Sequence, residues 1–325
     1  MSALTYAQAA AWLLEQDNFL ILTHVRPDGD TVGCAAGLCR ALREQGKRAY
    51  VLYNPETTAI FTPYLEGLLG EEGWQPDTVV SVDIAARGLF PENAQCYLER
   101  VDLAIDHHGS QEFFAENTCL DAGRAACGEL MYDIVRQWGP VSREVALPLY
   151  VAVSTDCGCF VYSNTSAACH RIAAELMETG FDFYPINRKH FRTKSLKRLQ
   201  LESMLTAGMD IYDEGQTAIV SLSLDMMEQV GAREEDIDDI SAFVGQIEGV
   251  RTGVTLRELR PGVCKISLRT DPGDLNASNV CAVLGGGGHA AAAGATVEGD
   301  ILTTKRAMLD AIRQVRAKTN NISHS

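Results

Sequence analysis

The stretch THVRPDGDTVG, Thr23 to Gly33, places one histidine and two aspartates within seven residues, directly after the apolar run NFLIL. Imidazole and carboxylate together suit hard or borderline divalent cations. His24, Asp28 and Asp30 are close enough in sequence for one loop to aim ligands at two neighbouring ions. Three further segments carry the types needed to complete such a pair: Asp83 in VSVDIA, the Asp106-His107-His108 run in DHHGS, and Asp156 in STDCGCF. In that arrangement Asp83 bridges the ions, and His107 and Asp156 complete the second. Two ions about 3.5–4 Å apart activate water and stabilise phosphate oxygens together, which gives a mixed His/Asp set a chemical purpose.

Each segment also has a plainer reading, and the residues by themselves leave both open. PDGD is a common solvated turn, with Asp28 capping and Gly29 bending the backbone. Asp83 and Asp156, taken singly, are ordinary helix caps. His107 and His108 can be packed or surface histidines. Placement is what ties them together. FLILTHV, RAYVLY, DTVVSVDIA and VDLAIDHHG predict strands, and TVGCAAGLCRALREQG predicts a small-residue-rich helix ending before Gly46. Nearly continuous apolar strands separated by helical stretches imply an α/β, Rossmann-like, largely parallel sheet covered on both faces. Ligands of such sheets sit beyond the C-terminal strand ends, the address shared by His24, Asp83 and Asp106 to His108. VALPLYVAVST predicts a packed helix that delivers Asp156, with a glycine after it permitting a close turn.

At 325 residues the chain is long enough for two domains of unequal size. Its 46% apolar content and sparse proline predict an ordered fold. From about Asn187 to Gly215 the texture changes: NRKHFRTKSLKRLQLESMLTAG concentrates basic residues on a helical pattern and reads as a connector with a positive face. From Gln216, TAIVSLSL, TGVTLREL and VCKISLRT predict strands, interrupted by a turn and helix in MMEQVGAREEDIDDISAFVGQI. The last of these strands leads through DPGDLNASNVCAVLGGGGHAAAAGATV to a terminal helix. The expected division is a catalytic domain over 1–186, a helical linker over 187–215 and a smaller mixed α/β domain over 216–325.

With 28 Lys and Arg against 43 Asp and Glu, the net charge of −15 disfavours a grip on a long phosphate backbone, which needs several cationic contacts. Long duplex nucleic acid is thereby set aside, and a short acidic substrate held by a few local charges is not. The beginning lacks a basic leader, and no apolar run approaches roughly 20 residues, so the expectation is a cytoplasmic protein without membrane association. The ten cysteines include no paired C-x-x-C spacing, which argues against a zinc knuckle and for reduced thiols.

On these motifs the chain resembles the DHH phosphoesterase superfamily, in the branch whose C-terminal DHHA1-type domain carries a GGGH motif. Within that branch it is similar to the bacterial oligoribonuclease (nanoRNase) and adenosine bisphosphate phosphatase group. THVRPDGDTVG, Asp83 in VSVDIA, DHHGS from Asp106 to Ser110, Asp156 in STDCGCF and GGGGHAAAAG from Gly285 to Gly294 carry the resemblance across almost the whole chain. It implies two divalent ions, manganese by preference, with cobalt or magnesium as substitutes. His24, Asp28 and Asp83 would surround one; Asp30, Asp83, His107 and Asp156 the other. It further implies that Asp106 orients its neighbours and that His108 contacts the substrate phosphate and assists the leaving group. The departure is local: Cys157 precedes Gly158 and Cys159 follows it.

In the C-terminal part, Gly285, Gly286, Gly287 and Gly288 can expose backbone N–H groups to an anion. Arg269 in KISLRT can add a bidentate contact, and His289 can stack on a base or donate to phosphate. The plain alternatives are a surface glycine loop, a surface strand arginine and a packing histidine. No Lys-Ser/Thr pair follows the glycines, so they are not a Walker loop. The expected reaction is hydrolysis of short oligoribonucleotides to mononucleotides, and of 3'-phosphoadenosine 5'-phosphate (pAp) to AMP. Short single-stranded RNA, dinucleotides and pAp are therefore the expected partners, with room for a homodimer. The alternative is a cyclic dinucleotide phosphodiesterase. Inorganic pyrophosphatase, whose family has a different C-terminal domain, and a non-catalytic nucleotide-binding protein, which predicts an incomplete ligand set, stand further off.

Overall fold

The computed structural model describes residues 2–70, 73–237, 240–271 and 275–322. The apolar runs of the first half become a six-stranded sheet in which every pairing is parallel. Across the sheet the order is β1 (Ser2–Ala3), β6 (Asn117–Leu120), β5 (Leu103–Asp106), β4 (Thr78–Val82), β2 (Phe19–Leu22) and β3 (Ala49–Val51). Every residue of β2, β4 and β5 is buried, as strands covered on both faces must be. From β2 the chain steps outward to β3, then returns to the other side of β2 and builds β4, β5 and β6 in the opposite direction. The switch in direction lies between β2 and β4, the position where open parallel sheets open a crevice at their carboxyl ends.

The helices of this part are α1 (Tyr6–Glu15), α2 (Gly29–Glu44), α3 (Cys127–Val135), α4 (Arg143–Asp156), α5 (Ala167–Glu178) and α6 (Phe183–Asn187). Thr5 and Gln8 form a capping box that starts α1. The predicted helix after PDGD begins two residues earlier than TVGCAAG, at Gly29, because Asp28 is its N-cap. Gly29, Gly33 and Gly37, spaced by four, lie on the face of α2 turned to α4. A Cβ at these positions would stand 2.3 Å from Thr155 Oγ1, 2.4 Å from the Pro148 carbonyl and 2.5 Å from Leu149 Cδ2 respectively. The two backbones therefore approach more closely than any larger residue allows, and that contact sets the register between Asp30 and Asp156. Pro148 inside α4 deprives the Glu144 carbonyl of its usual donor. Arg40 of α2 supplies one instead, at 3.2 Å.

The chain divides into two compact units, Met1–Thr193 and Lys194–Ser325, with the division inside the stretch read as a connector. The second unit contains a sheet of order β11 (Gly287–Gly288), β12 (Ala292–Glu298), β10 (Val263–Thr270), β9 (Thr252–Arg260), β8 (Thr217–Leu222) and β7 (Asp210–Tyr212). Among the described strands of this sheet, β8 and β9 alone pair parallel. One face packs on α9 (Ala277–Val283) and α10 (Ile301–Ile322), with Ile219, Val254, Ile266 and Leu268 against Met308 and Ile312. The other face receives α7 (Leu196–Ala207), whose Leu201 and Leu205 pack with Ala218, Val220 and Leu222; α8 (Leu224–Val230) follows β8.

One expectation is corrected here. VCKISLRT, now β10, is not the last strand before the terminal helix, because β11 and β12 lie in the stretch that follows it and β12 pairs with β10 over seven residues. Alanine- and glycine-rich segments lack the β-branched and aromatic side chains that mark strands, so β12 is defined by the ladder it completes. Residues 272–274 of that connection, and 238–239 of the preceding turn-and-helix region, lie outside the described residues. Among the described residues no helix is long and apolar enough to cross a membrane.

Candidate active site

His24 follows β2 and Asp83 follows β4, so the two strands flanking the switch point each deliver one group. Asp28 is a cap and a site residue at once: its Oδ1 accepts from the N–H of Asp30 (3.0 Å) and Thr31 (3.2 Å), and stands 3.5 Å from His24 Nε2. Asp30, in the first turn of α2, is buried. Its carboxylate accepts from the N–H of Cys127 (2.7 Å) and Gly128 (2.9 Å) at the start of α3, whose own N-cap, Ala126, has no side chain to offer. A helix start distant in sequence thus holds this anion rigidly. Cys34 adds a thiol donor at 3.3 Å.

Asp83 is not a helix cap. It takes a left-handed backbone, φ 59°, with its N–H donating to the Ile105 carbonyl at 2.9 Å. Such a conformation in a residue with a side chain costs of order 1–3 kcal/mol and persists where surrounding structure enforces it. The carboxylate is 3% exposed. Its Oδ2 faces His24 Nε2 at 3.7 Å and its Oδ1 faces His107 Nε2 at 3.5 Å, and Oδ1 has no hydrogen-bond partner. A buried carboxylate oxygen without a donor is costly.

The imidazoles are aimed by their other nitrogens. His24 Nδ1 lies 2.8 Å from the Val25 carbonyl and His107 Nδ1 3.1 Å from that of Arg124, so each donates there and leaves Nε2 as a lone-pair donor. His107 Nε2 is 3.7 Å from Asp30 Oδ2 and 3.7 Å from Asp156 Oδ2. Two candidate ligand sets result, His24–Asp28–Asp83 and Asp30–His107–Asp156, with Asp83 facing into both. Separations of 3.5–3.7 Å are too long for hydrogen bonds. They suit atoms that each lie about 2.0–2.2 Å from a shared cation.

His108 is arranged differently. Its Nδ1 donates to Asp106 Oδ1 at 2.8 Å, while the fully buried Asp106 also accepts from the N–H of His107 (2.7 Å) and from Gln111 Nε2 (2.6 Å). Although Asp83, His107 and His108 also cluster closely enough for an ion, His108 Nδ1 is committed to Asp106. The His108 ring is a third exposed.

Burial pushes Asp30 up to about 7, with the charge of Asp28 adding to it. Burial and then Asp30 push Asp156 up to about 7. Asp83 is raised well above the carboxylate range by burial, then by Asp30 and Asp28. Burial opposes charge on His108, yet the bond to Asp106 outweighs it and the ring is raised. Carboxylates so crowded need positive charge to ionise together, which divalent cations in the two candidate sets would supply. The donor types, the spacing and the orphaned Asp83 oxygen all fit such ions.

The remaining predicted residues lie in the second unit. GGGGHAAAAG forms a hairpin, with β11 on β12 and His289 N–H donating to Ala292 O at 2.7 Å. The N–H groups of Gly285 and Gly286 are used internally, on Ala282 O (3.1 Å) and Cys281 O (2.8 Å), so these two do not present free donors to an anion. Gly286 and Gly288 are glycines for packing: a Cβ would lie 2.1 Å from Gly294 O and 2.6 Å from Ala292 O. Gly287 faces open space, and His289 is exposed. Arg269, half-buried on β10, reaches Ser241 Oγ and the Leu268 carbonyl, each at 3.3 Å.

Arg124 was not visible in the sequence as a site residue. Its carbonyl orients His107, and its guanidinium is held by Glu129 (3.2 Å) and Asp133 (2.6 Å) of α3. No motif marks it, since a backbone carbonyl leaves no side-chain signature.

The sequence profile of the DHH family, N-terminal domain, matches residues 18–153, and that of the DHHA1 domain matches 215–318. The chain is 33% identical over 299 residues to the bifunctional oligoribonuclease and PAP phosphatase NrnA of Thermus thermophilus, covering 90% of this chain and 89% of the relative. The Bacillus subtilis protein of the same name is 24% identical over 289 residues, with 86% and 90% covered. Among solved structures, an exopolyphosphatase-related protein from Bacteroides fragilis has the same fold, with a TM-score of 0.85 and 24% identity over 96% of both chains.

Proposed function

We propose a substrate class from one premise: this chain belongs to the DHH family, and its C-terminal part is a DHHA1 domain. It is a hydrolytic phosphoesterase, of a family that uses divalent metal ions. Its substrates are short oligoribonucleotides, cut to mononucleotides, and pAp, cut to AMP. Manganese is the ion we assign. Relatives similar over nearly the whole chain bear names for both activities. The single observation that carries the chemistry is Asp83, buried, with one oxygen toward each of two imidazoles.

Divalent ions held by these residues supply Lewis acidity toward a phosphate oxygen and toward water. The chain's own groups do the rest. Asp106 accepts from His108 Nδ1, fixes the ring and favours its imidazolium form, which carries a second proton on Nε2 that can pass to the departing oxygen or bond a phosphate oxygen. The carbonyls of Val25 and Arg124 hold His24 and His107 in the ligating tautomer. Arg269, His289 and the open face at Gly287 are assigned to the nucleotide. The net charge of −15 discourages longer strands, whose unneutralised phosphates meet an acidic surface.

The test is a substrate panel with manganese: pApA, a short RNA, pAp, cyclic di-AMP and a strand of about twenty nucleotides. Turnover of the first three, abolished by EDTA and restored by manganese, is expected, with kcat/KM falling on the long strand. Cyclic di-AMP turned over faster than any linear substrate, or full activity after verified removal of divalent ions, overturns this reading.

A further inference from the structure

Beyond Asp156 and Cys157 the chain makes three consecutive left-handed residues, Gly158 (φ 55°), Cys159 (55°) and Phe160 (67°). Two of them carry side chains that disfavour this conformation. The loop is held by many bonds. Cys159 N–H donates to Ser154 O at 2.7 Å, and the N–H groups of Val161 and Tyr162 both donate to Cys157 O at 3.0 and 3.1 Å. Asn164 Nδ2 donates to the carbonyls of Asp156 and Ala125, each at 3.1 Å. Phe160 turns inward and stacks on His170 at 4.9 Å.

This construction turns the next two side chains outward. Val161 is 81% exposed and Tyr162 48%. The Tyr162 ring lies against the backbone of Gly158, where a Cβ would be 2.5 Å from a ring carbon. The glycine therefore lets an aromatic ring settle two residues from a carboxylate of the candidate metal set. Enforced backbone strain beside a site is a mark of function, and outward apolar side chains contribute nothing to the core.

We propose that Tyr162, with Val161 beside it, is a stacking platform for a nucleobase flanking the scissile phosphate. This rests on the phosphoesterase reading and adds a residue that selects nucleotides among phosphoesters. A partly exposed aromatic ring is how single-stranded nucleic acid is commonly held, by stacking that tolerates any base.

The experiment compares wild type, Tyr162→Ala and Tyr162→Phe on pApA and on the same backbone with an abasic sugar replacing either adenosine. Tyr162→Ala should raise KM for pApA about tenfold, with kcat within about twofold and the metal content unchanged, while Tyr162→Phe stays near wild type. On the analogue lacking the stacked base, wild type and Tyr162→Ala should have equal KM, because the lost interaction is already absent. An unchanged KM for pApA, or an equal rise on both abasic analogues, overturns the platform. If the wild type does not turn over pApA with manganese, the substrate reading fails, and calorimetric binding of pApA still decides the platform: equal affinity of wild type and Tyr162→Ala, or no binding by either, rejects it.

Discussion

At Asp83 one side chain joins both ligand sets, and the consequences of losing its charge are specific. Asp83→Asn keeps the size but removes the anion, so turnover should fall by at least about a hundredfold with at least one ion lost. Two ions and near-normal turnover in that variant would refute the bridge. His108 separates chemistry from ion binding. With Nδ1 tied to Asp106, His108→Ala should lower kcat by about 10²–10⁴ while both ions stay bound. Loss of an ion there, with His107→Ala keeping both, reverses the two assignments. Gly287 offers a third check, because its Cβ position is open and its φ is not left-handed. Gly287→Ala should leave Tm unchanged yet raise KM for pApA if substrate approaches that backbone. Unaltered KM removes Gly287 from the nucleotide site.

Among elements, the α2–α4 contact decides whether the second ligand set exists. Asp30 rides on the first turn of α2 and Asp156 on the last residue of α4, and the glycines at 29, 33 and 37 allow the helices to meet. Gly33→Ala would place a methyl 2.4 Å from the Pro148 carbonyl and 2.8 Å from Ala152. Alanine gains about 1 kcal/mol in helix propensity, but a backbone carbonyl cannot rotate away, and overpacking costs about 1–3 kcal/mol. We expect weakened manganese binding together with a Tm lowered by about 2–6 °C, read by thermal unfolding with and without the ion. Unchanged Tm and full metal content would show that the helices have room to spare. The start of α3 belongs to the same assembly, since its N–H groups fix Asp30 and the Arg124 carbonyl just before it fixes His107.

For the whole molecule, stability should depend jointly on pH and metal. Asp30 and Asp156 are pushed up to about 7 in the fold, against about 3.9 in an unfolded chain. Between those values the folded state binds more protons, so these two groups lower metal-free stability progressively as pH rises from about 4 to 7. Ions held by these carboxylates would reverse the sign by stabilising the ionised forms, and would have to displace the protons to bind. The rise in Tm on adding manganese should therefore be larger at about pH 8 than at about pH 5.5. A pH-independent rise would mean that these carboxylates are not the ligands.

The residue types alone determined much of this protein. Apolar runs separated by helical stretches made a largely parallel sheet legible, and residue type and placement made His24, Asp28, Asp30, Asp83, His107 and Asp156 candidates, which the resemblance sorted into two ligand sets and the fold brings close together. The tertiary structure decided the rest. Asp30 meets Cys127 across 97 residues, and nothing near either in sequence announces that one caps the helix of the other. Which oxygen of Asp83 faces which imidazole depends on β2 and β4 being neighbours at the switch point. The tetraglycine resembled a row of free donors, but Gly285 and Gly286 spend their N–H groups inside the hairpin and β12 closes over Gly286 and Gly288. Backbone groups carry no residue-specific signal, so their partners emerge only when distant segments pack.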